Sequence, residues 1–469
     1  MTGEASPSRV LFTREDLNRL IRPLILEQLL AISVGMFDTM MISTAGDNAV
    51  SGVSLVDMIN VLIINIFAAL ATGGAVVCAH QIGLVRSKDG DGDFSLARNS
   101  AKQLMFVLFA VSSCVAVLCY LFRGQLLSLL YSGEPGVPDI YGKTTVMHAD
   151  VYFAISTLSY PFIALYNGFA ALFRTMSNAR VTLWVSVAVN LVNVAGNALL
   201  IYVFDLQAAG AAWATTFSRF LGMLILMLLI MNKRGMIYID FRERFKPDFG
   251  VIKKILRIGV PAGLENSIFN LGRILTISMV TVFGSEQLTA NAIANNLDSL
   301  GCVPGQAIGL AMVTVVGQCI GAGQTKEALN YVKKLMCKAY IYMGIAGVVI
   351  LGGLPLILRL YQASEEALAL AAILVLIHVG VGMLIWPLSF VTPNALRAAK
   401  DVRFTMITAI SSMFVFRLML AYVIGVRLEL GVIGVWLAML VDWCFRSIMF
   451  VWRIKSGKWL NSMRKKGEL

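Results

Sequence analysis

Charged residues are scarce in this sequence. Asp, Glu, Lys and Arg make up 14% of its 469 residues, whereas 58% are hydrophobic and the mean hydropathy is +0.77. This balance excludes a water-soluble globular domain and predicts a polytopic α-helical membrane protein. The net charge of +12 does not indicate a nucleic-acid partner, because the basic residues lie in short runs between apolar segments, where membrane topology places them.

Several motifs of enzymes and secreted proteins are also missing. HExxH, GxxxxGK[ST] and GxSxG do not occur, which excludes zinc hydrolysis, ATP-driven pumping by this chain and serine hydrolysis. The cysteines lack CxxC spacing and imply neither a disulfide framework nor a zinc site. Residues 1–22 lack an apolar stretch followed by a cleavage site, so no cleaved signal peptide is expected. We therefore expect a protein that is not an enzyme and needs no cofactor.

What the sequence has in abundance is long apolar stretches. Windows of about 20 apolar residues are long enough to cross a bilayer. Twelve such spans are predicted, near 23–45, 54–82, 103–131, 147–172, 183–204, 208–231, 255–283, 292–320, 335–360, 367–393, 404–426 and 431–453.

Charges in the connections test this count. Even-numbered connections and the C-terminal tail are rich in Lys and Arg, whereas the odd-numbered ones carry mostly acidic residues, such as Glu365 and Glu366. Basic connections lie on the cytoplasmic side of a membrane. We therefore expect a multi-pass protein of the cell membrane with both termini in the cytoplasm.

The chain contains an internal repeat. RPLILEQ at 22–28 resembles VPAGLEN at 260–266, which also places Gly46 over Gly284. Further along, AHQIG (79–83) matches GQCIG (317–321), and Pro161 matches Pro387. Because six spans are an even number, both halves enter the membrane in the same direction. The sequence thus predicts two parallel six-helix repeats, related by an axis along the membrane normal, around a central cavity.

The predicted segments follow from these spans. They are an N-terminal cytoplasmic segment (1–22), an N-terminal six-helix bundle (23–231), a cytoplasmic linker (232–254), a C-terminal six-helix bundle (255–453) and a basic cytoplasmic tail (454–469).

One carboxylate lies deep in the first span. Asp38 is about 22 Å along the helix from Pro23, and Asn197 in span 5 reaches a similar depth. Asn193 lies one turn from Asn197 on the same face, and Thr215 of span 6 falls in the same layer. Buried Asn and Thr often serve only as hydrogen-bonded links between helices. An intramembrane Asp is costly, so we interpret the set as a functional site.

The C-terminal half has a different set of charges in its spans: Glu265, Arg273, Asp298 and Arg417. We predict that Arg273 pairs with Asp298, or alternatively with Glu265, because an uncompensated guanidinium in lipid is costly. Structural pairing and a role in the cavity remain equal alternatives for this set. His378 in span 10 is interpreted as a packing residue. Pro161 and Pro387 remove a helical donor in equivalent places and are predicted hinges.

Several separated motifs resemble those of the multidrug and toxic compound extrusion (MATE) transporters. They are PLILEQLLAISVGMFDTMMIS with AVSGVSLVD, the AxQIG-type end of span 2, KPDFGVIKKILRIGVPAGLE and GQCIGAGQTKEAL. The likeness covers about residues 15 to 455. The major facilitators, which also have twelve spans, carry a different signature between spans 2 and 3, where this chain has HQIGLVRSKDGDGDF.

The resemblance implies a role for the layer around Asp38. In prokaryotic MATE relatives, a proton or sodium site uses an Asp of span 1, an Asn and a residue one turn later in span 5, and a Thr of span 6. Asp38, Asn193, Asn197 and Thr215 occupy those motif positions. Asn197 departs from the many relatives that have Asp there, which leaves Asp38 as the layer's only proton acceptor. Glu265 matches the acidic residue after the proline of span 7.

The resemblance predicts an antiporter that exports organic compounds, cationic or amphipathic, in exchange for H⁺ or Na⁺. A flippase for a lipid-linked sugar is the alternative within the superfamily; it would favour an Arg-lined cavity, to which Arg273 and Arg417 could contribute. A membrane-embedded enzyme or receptor has no supporting motif. We expect a monomer that has the lipid bilayer and a small organic substrate as its partners. The sequence assigns no role to Glu27 or Asp57.

Overall fold

The protein is all-helical in the computed structural model, which describes residues 11–87, 93–130, 138–139, 142–240 and 243–464. All regular secondary structure within these ranges is helical. Parts of the predicted terminal segments, 1–10 and 465–469, lie outside the described residues, as do 241–242 of the predicted linker.

The first half of the chain contains eight α-helices within the described ranges. They are α1 (Arg14–Ser43), α2 (Asp47–Ser87), α3 (Ser95–Leu121), α4 (Arg123–Leu130), α5 (Thr145–Leu158), α6 (Tyr160–Thr175), α7 (Ala179–Asn197) and α8 (Gln207–Ile230). A π-helical turn, Ala198–Val203, continues α7.

The second half repeats this succession with more interruptions. It contains α9 (Phe249–Thr281), α10 (Ser285–Gly321), α11 (Thr325–Arg359), α12 (Glu365–Val375), α13 (Met383–Trp386), α14 (Thr392–Ala398), α15 (Val402–Ser412), α16 (Gly431–Lys455) and a short α17 (Asn461–Arg464). Four π-helical turns interrupt it, Leu376–Gly382, Pro387–Val391, Met413–Met419 and Tyr422–Arg427, and a 3-10 turn spans Lys458–Leu460.

These helices form the predicted membrane-crossing segments. Ten helical stretches of the described chain are long and apolar enough to cross a bilayer. Two further stretches complete the twelve predicted spans. Residues 145–175 are divided at Ser159 into α5 and α6, and α9 is a continuous helix whose apolar sequence is interrupted by charged residues such as Glu265 and Arg273. The predicted all-α, multi-pass architecture is confirmed.

The chain forms two compact units by its internal contacts. The N-terminal unit comprises Leu29–Cys78 and Asp93–Gly263. The C-terminal unit comprises Met1–Gln28, Ala79–Gly92 and Leu264–Leu469. These divisions fall inside α1, α2 and α9. The two units are defined by contacts between residues and not by the order of the chain, so they do not test the predicted bounds of the two bundles, which stay a prediction.

The repeat is visible in the backbone turns. Gly46, between α1 and α2, has φ 98°, and its predicted equivalent Gly284, between α9 and α10, has φ 101°. The turn after α6 places Ser177 at φ 62°, and the corresponding turn after α14 places Lys400 at φ 61°. Left-handed conformations are uncommon for residues other than glycine. Their recurrence in corresponding turns supports two copies of one six-helix arrangement.

The direction of the repeats follows from a contact between their matched motifs. A Cβ on Gly83 would overlap the backbone oxygen of Gln318, and one on Gly321 would overlap the backbone oxygen of His80. Gly83 is the repeat equivalent of Gly321, and His80 is that of Gln318, so the contact is reciprocal, as a two-fold axis requires. It joins the ends of α2 and α10. Inverted repeats would place these ends on opposite membrane faces, so the repeats are parallel.

This crossing predicts a severe effect of a small substitution. Gly321→Ala would drive a methyl group into a backbone carbonyl that cannot rotate away, and overpacking of this kind costs about 1–3 kcal/mol or more. We expect a lower unfolding temperature and less monodisperse protein in detergent. Gly344→Ala is the matched control, because it lies in α11 with nothing within 4 Å and should gain stability from helix propensity. Equal unfolding temperatures for the two variants would contradict the close crossing.

Candidate functional site

The structure brings the four polar residues predicted from spans 1, 5 and 6 into one hydrogen-bonded chain within the N-terminal unit. The amide Nδ2 of Asn197 donates to Asp38 Oδ1 at 2.6 Å and lies 3.4 Å from Asn193 Oδ1. Asn193 Nδ2 in turn lies 3.2 Å from Thr215 Oγ1 and 3.5 Å from Ser218 Oγ. Helices α1, α7 and α8 therefore meet through polar side chains at this level.

The layer is enclosed on the side of α7. Asn193 is 4% exposed and Asn197 1%, whereas Asp38 and Thr215 are half-buried. The amide Oδ1 of Asn197 is buried and has no hydrogen-bond partner among the described residues. Burial of an unpaired polar atom is costly, which is why such atoms are rare in native proteins. Directly after Asn197, α7 changes to the π-helical turn, a distortion frequent at functional sites.

Beside this layer lies a second polar group, centred on Asp57 of α2. Asn60 Nδ2 lies 3.1 Å from Asp57 Oδ1, and Tyr152 donates its hydroxyl to the same oxygen at 3.2 Å. Tyr160 donates to Asn60 Oδ1 at 2.8 Å. The negative charge of Asp57 acts electrostatically on Asp38. Two carboxylates thus influence each other, although only Asp38 belongs to the predicted layer.

Sequence reasoning missed a basic residue of this region, Arg219. It lies in the interior of α8, and its Nη1 donates to Ser159 Oγ at 2.7 Å, where the backbone breaks between α5 and α6. Its positive charge acts on both Asp38 and Asp57. An arginine in the interior of an apolar span was the available signal, since such residues are rarely without a role.

In the C-terminal unit, Glu265 is the centre of a buried ion-pair network. Arg397 Nη2 donates to Glu265 Oε1 at 2.8 Å, and Arg446 Nη2 lies 4.0 Å from the same oxygen. Thr405 Oγ1 is 3.1 Å from Oε2. Glu265 is 3% exposed and Arg446 3%, so these charges compensate each other away from solvent.

A second buried acid, Asp442, was not singled out from the sequence. It lies in α16, is fully buried, and accepts a hydrogen bond from the Ser412 hydroxyl. Arg417 Nη1 lies 3.7 Å from its Oδ2. The predicted charge of Arg417 therefore has a partner, Asp442, which lies in the middle of the last predicted span, 431–453, and outside the repeat motifs.

The predicted ion pair of Arg273 is not formed. Arg273 is exposed, and no carboxylate among the described residues lies within 4.0 Å of it. Glu265 is held by Arg397, and Asp298 Oδ1 instead lies 3.5 Å from His378 Nδ1. Depth along a helix predicts the height of a side chain in the membrane, but not the side of the helix on which it lies.

His378 lies in an aromatic enclosure, in agreement with packing as its main role. The ring is fully buried, with centroid distances of 4.2 Å to Trp436 and 4.5 Å to Trp443. Its neighbour Asp298 was assigned to the charge cluster, and the charge of Asp298 does act on Arg417.

Both predicted hinge prolines lie at interruptions of their helices. Pro161 is in the first turn of α6, directly after the break at Ser159, and Pro387 begins the π-helical turn Pro387–Val391. Proline cannot donate the backbone hydrogen bond that would continue the preceding helix. The local interruption agrees with the prediction, whereas the hinge role stays a prediction.

Comparison with known proteins identifies the family. The family model MatE matches residues 23–199 and 261–423, which covers both repeats. The uncharacterized transporter YisQ of Bacillus subtilis is 27% identical over 93% of each chain. The probable multidrug resistance protein NorM of Thermotoga maritima is 25% identical over 95% of this chain and 93% of its own.

A solved structure agrees with the architecture. The crystal structure of MATE in the bent conformation superposes with a TM-score of 0.83 at 20% identity, over 97% of each chain. Its similarity supports the twelve-helix, two-repeat fold. With a family match across both repeats and this shared fold, the chain belongs to the multidrug and toxic compound extrusion family of transporters.

Proposed function

We propose that this protein is a secondary antiporter of the cell membrane, which exports organic cations or amphipathic compounds in exchange for an inward flow of protons. The observation that carries the proposal is the hydrogen bond from Asn197 to Asp38 in the interior of the N-terminal unit. A carboxylate at this depth is costly to keep charged, so ion uptake there has a large energetic consequence.

Protonation of Asp38 is the coupling step in this proposal. Burial penalises the charged form of a carboxyl group, and hydration of the site favours it. A proton can therefore bind while the site is closed to water and leave when it opens. Arg219 and Asp57 carry opposite charges, so a movement of α2 or α8 would change the electrostatic environment of Asp38. Substrate and proton then compete for one state of the N-terminal unit, and this competition produces exchange.

Sodium is the alternative coupling ion. The layer offers oxygen ligands of the kind that hard cations prefer: the Asp38 carboxylate, the Thr215 hydroxyl and the amide oxygens of Asn193 and Asn197. The unpaired Oδ1 of Asn197 would be one such ligand. The layer itself has a single carboxylate, which favours the proton, because one negative charge gives weak compensation for a bound cation.

The relatives support export of organic compounds. The matching proteins of Thermotoga maritima and Burkholderia pseudomallei both carry the name probable multidrug resistance protein NorM. The asymmetry of charges between connections supports cytoplasmic termini.

Transport in vesicles tests the proposal. Purified protein in liposomes should accumulate a fluorescent organic cation when a proton gradient is imposed, and an equal sodium gradient should have no effect. Transport that depends on the sodium gradient alone would show that sodium, and not the proton, is the coupling ion. Lack of transport under both gradients, together with movement of a lipid-linked pyrophosphate across the bilayer, would establish the flippase alternative, for which the exposed Arg273 is a candidate contact.

A substitution of Asn197 tests which ion is coupled to transport. Asn197→Asp would place a second carboxylate beside Asp38, and we expect sodium to compete with protons at a concentration roughly tenfold lower than in the unmodified protein. Asn190→Asp is the matched control, because Asn190 is on the same helix but donates to Ser186 at 3.4 Å, away from the layer. The same sodium response in both variants would show that general negative charge, and not the layer, determines ion choice.

A further inference from the structure

Three basic side chains lie together on the exposed surface of α9, near the end that we assign to the cytoplasmic side. They are Lys253, Lys254 and Arg257, in the second and third turns of the helix. Arg257 is four residues from Lys253 and three from Lys254, so the three side chains are neighbours on the helix surface, and like charges at these spacings repel each other. No carboxylate of the described residues lies within 4.0 Å of them.

The equivalent positions of the first repeat carry the opposite charge. The alignment of residues 22–28 with 260–266 places Lys253 over Glu15 and Lys254 over Asp16, and both acids are also exposed. Because the repeats are parallel, α1 and α9 begin on the same side of the membrane. The preference for basic residues on the cytoplasmic side therefore acts on both helices and does not explain why their charges differ. The basic group is a specific feature of α9.

The length of α9 places these charges near the lipid headgroups. The helix has 33 residues and is about 50 Å long, whereas the hydrocarbon core of a bilayer is about 30 Å thick. Measured from Thr281 at the outer end, the core ends about 31 Å along the helix, near Val260. Arg257 lies about 5 Å beyond that level and Lys253 about 10 Å beyond it. Their long side chains can reach phosphate groups from these positions.

The basic group also faces away from the neighbouring helix of its unit. Ile255 and Gly259 are each two residues from Arg257, about 200° around the helix, and they pack against α2. Ile255 is fully buried, and a Cβ on Gly259 would lie 2.9 Å from the Cα of Leu70. On the side of Arg257, Val260 is 46% exposed. A charged position is thus followed by an apolar one, as the headgroup of a phospholipid is followed by its acyl chains.

Other residues of the cytoplasmic connections do not offset the positive charge. Residues 232–257 contain eight basic and three acidic residues. Two of these acids pair with lysines outside the basic group, and the third, Asp248, accepts hydrogen bonds from two backbone N–H groups at the start of α9, at 3.0 and 3.1 Å. The connections 86–102 and 174–180 add six basic and three acidic residues. The excess therefore persists when every charge of these connections is counted.

We propose that Lys253, Lys254 and Arg257 bind the phosphate of an anionic phospholipid, whose acyl chain lies against Val260. A guanidinium can bind a phosphate group through two hydrogen bonds, and the lysines add point charges. A neutral phospholipid also has a phosphate, but the positive group of its head would be repelled by the three side chains. Free phosphate lacks the acyl chain. This site goes beyond the proposed antiport and does not depend on the ion-coupling role of Asp38.

Phosphatidylglycerol is the probe for this site. Thermal unfolding of the purified full-length protein is measured in detergent micelles with an increasing mole fraction of this lipid. We expect the unfolding temperature to rise with saturation, because a lipid that binds only the folded state stabilises it. Phosphatidylcholine at the same mole fractions, and inorganic phosphate, should have much smaller effects. An equal rise with phosphatidylcholine or with inorganic phosphate would overturn the proposal.

Substitutions locate the effect. Each basic residue near an anionic headgroup contributes about 1 kcal/mol, so Arg257→Gln should raise the half-saturating fraction of phosphatidylglycerol about fivefold, and Lys253→Gln with Lys254→Gln about 25-fold. Arg19→Gln is the matched control, because Arg19 is the exposed repeat equivalent of Arg257 and its charge acts on Asp16. An equal shift in this control, or no shift in the double variant, would show that the lipid binds elsewhere.

A direct measurement in the unmodified protein covers variants that fail to fold. Phosphatidylglycerol with a photoreactive diazirine in its acyl chain is cross-linked to the protein in liposomes, and the labelled peptides are identified by mass spectrometry. We expect label on α9 around Val260, at a higher yield than with phosphatidylcholine that carries the same chain. Equal yields from the two lipids on this peptide, or absence of label from it, would overturn the proposal.

Discussion

Asp38→Asn is expected to reduce gradient-driven export to the rate of protein-free vesicles. The asparagine has nearly the same shape as a protonated aspartate, so the variant mimics a transporter whose coupling site is permanently protonated. It can neither release the proton nor exchange it for substrate. The hydrogen bond with Asn197 can be kept after an amide rotation, and removal of a buried charge does not destabilise the fold as introduction of one would.

The readout separates coupling from folding and from substrate binding. The variant should elute as monodisperse protein and bind the fluorescent cation, yet show no response to an imposed proton gradient. Asp47→Asn is the matched control, because Asp47 is an exposed acid in the first turn of α2, outside the layer. Export at the rate of the unmodified protein by the Asp38→Asn variant would move the coupling site elsewhere, first to Asp57.

The polar layer around Asp38 was predictable because it depends on two simple quantities. The helical rise gives the depth of Asp38 and Asn197, and a spacing of four places Asn193 on the same face as Asn197. Both quantities are properties of single helices, which the sequence determines locally. The turns at Gly46 and Gly284 were likewise apparent from the repeat, because their conformations follow from short local segments.

The charge cluster of the C-terminal unit was harder to predict, because it depends on the rotation of each helix about its axis. Arg273 and Glu265 share α9 but are eight residues apart, about 12 Å along the helix axis and roughly 80° around it. Glu265 meets Arg397 and Arg446, whereas Arg273 is exposed. The π-helical turns add further rotation, and Arg417 lies in one of them. Asp442 could have been noticed as an acid inside the last span, but the sequence does not show that it pairs with Arg417.

The network around Glu265 also predicts a large effect on stability. Glu265→Gln keeps the size of the side chain but leaves Arg397 and Arg446 without the carboxylate that they share. Removal of one partner from a buried ion pair costs about 3–5 kcal/mol, because the remaining charge is uncompensated. We expect a much lower unfolding temperature and a smaller folded fraction. Glu366→Gln, which removes an exposed acid at the start of α12, should leave both unchanged.

A double substitution distinguishes the structural role of Glu265 from a role in coupling. If Glu265 serves as the counter-ion of Arg397, the variant with both Glu265→Gln and Arg397→Gln should recover part of the lost stability, since the uncompensated guanidinium is gone. The protein that does fold in each variant should still export substrate in response to the proton gradient, because Asp38 is intact. A Glu265→Gln protein of normal stability that exports without regard to the gradient would give the opposite result. The carboxylate of the second repeat would then take part in ion exchange, and the two units would each supply one acid to the transport cycle.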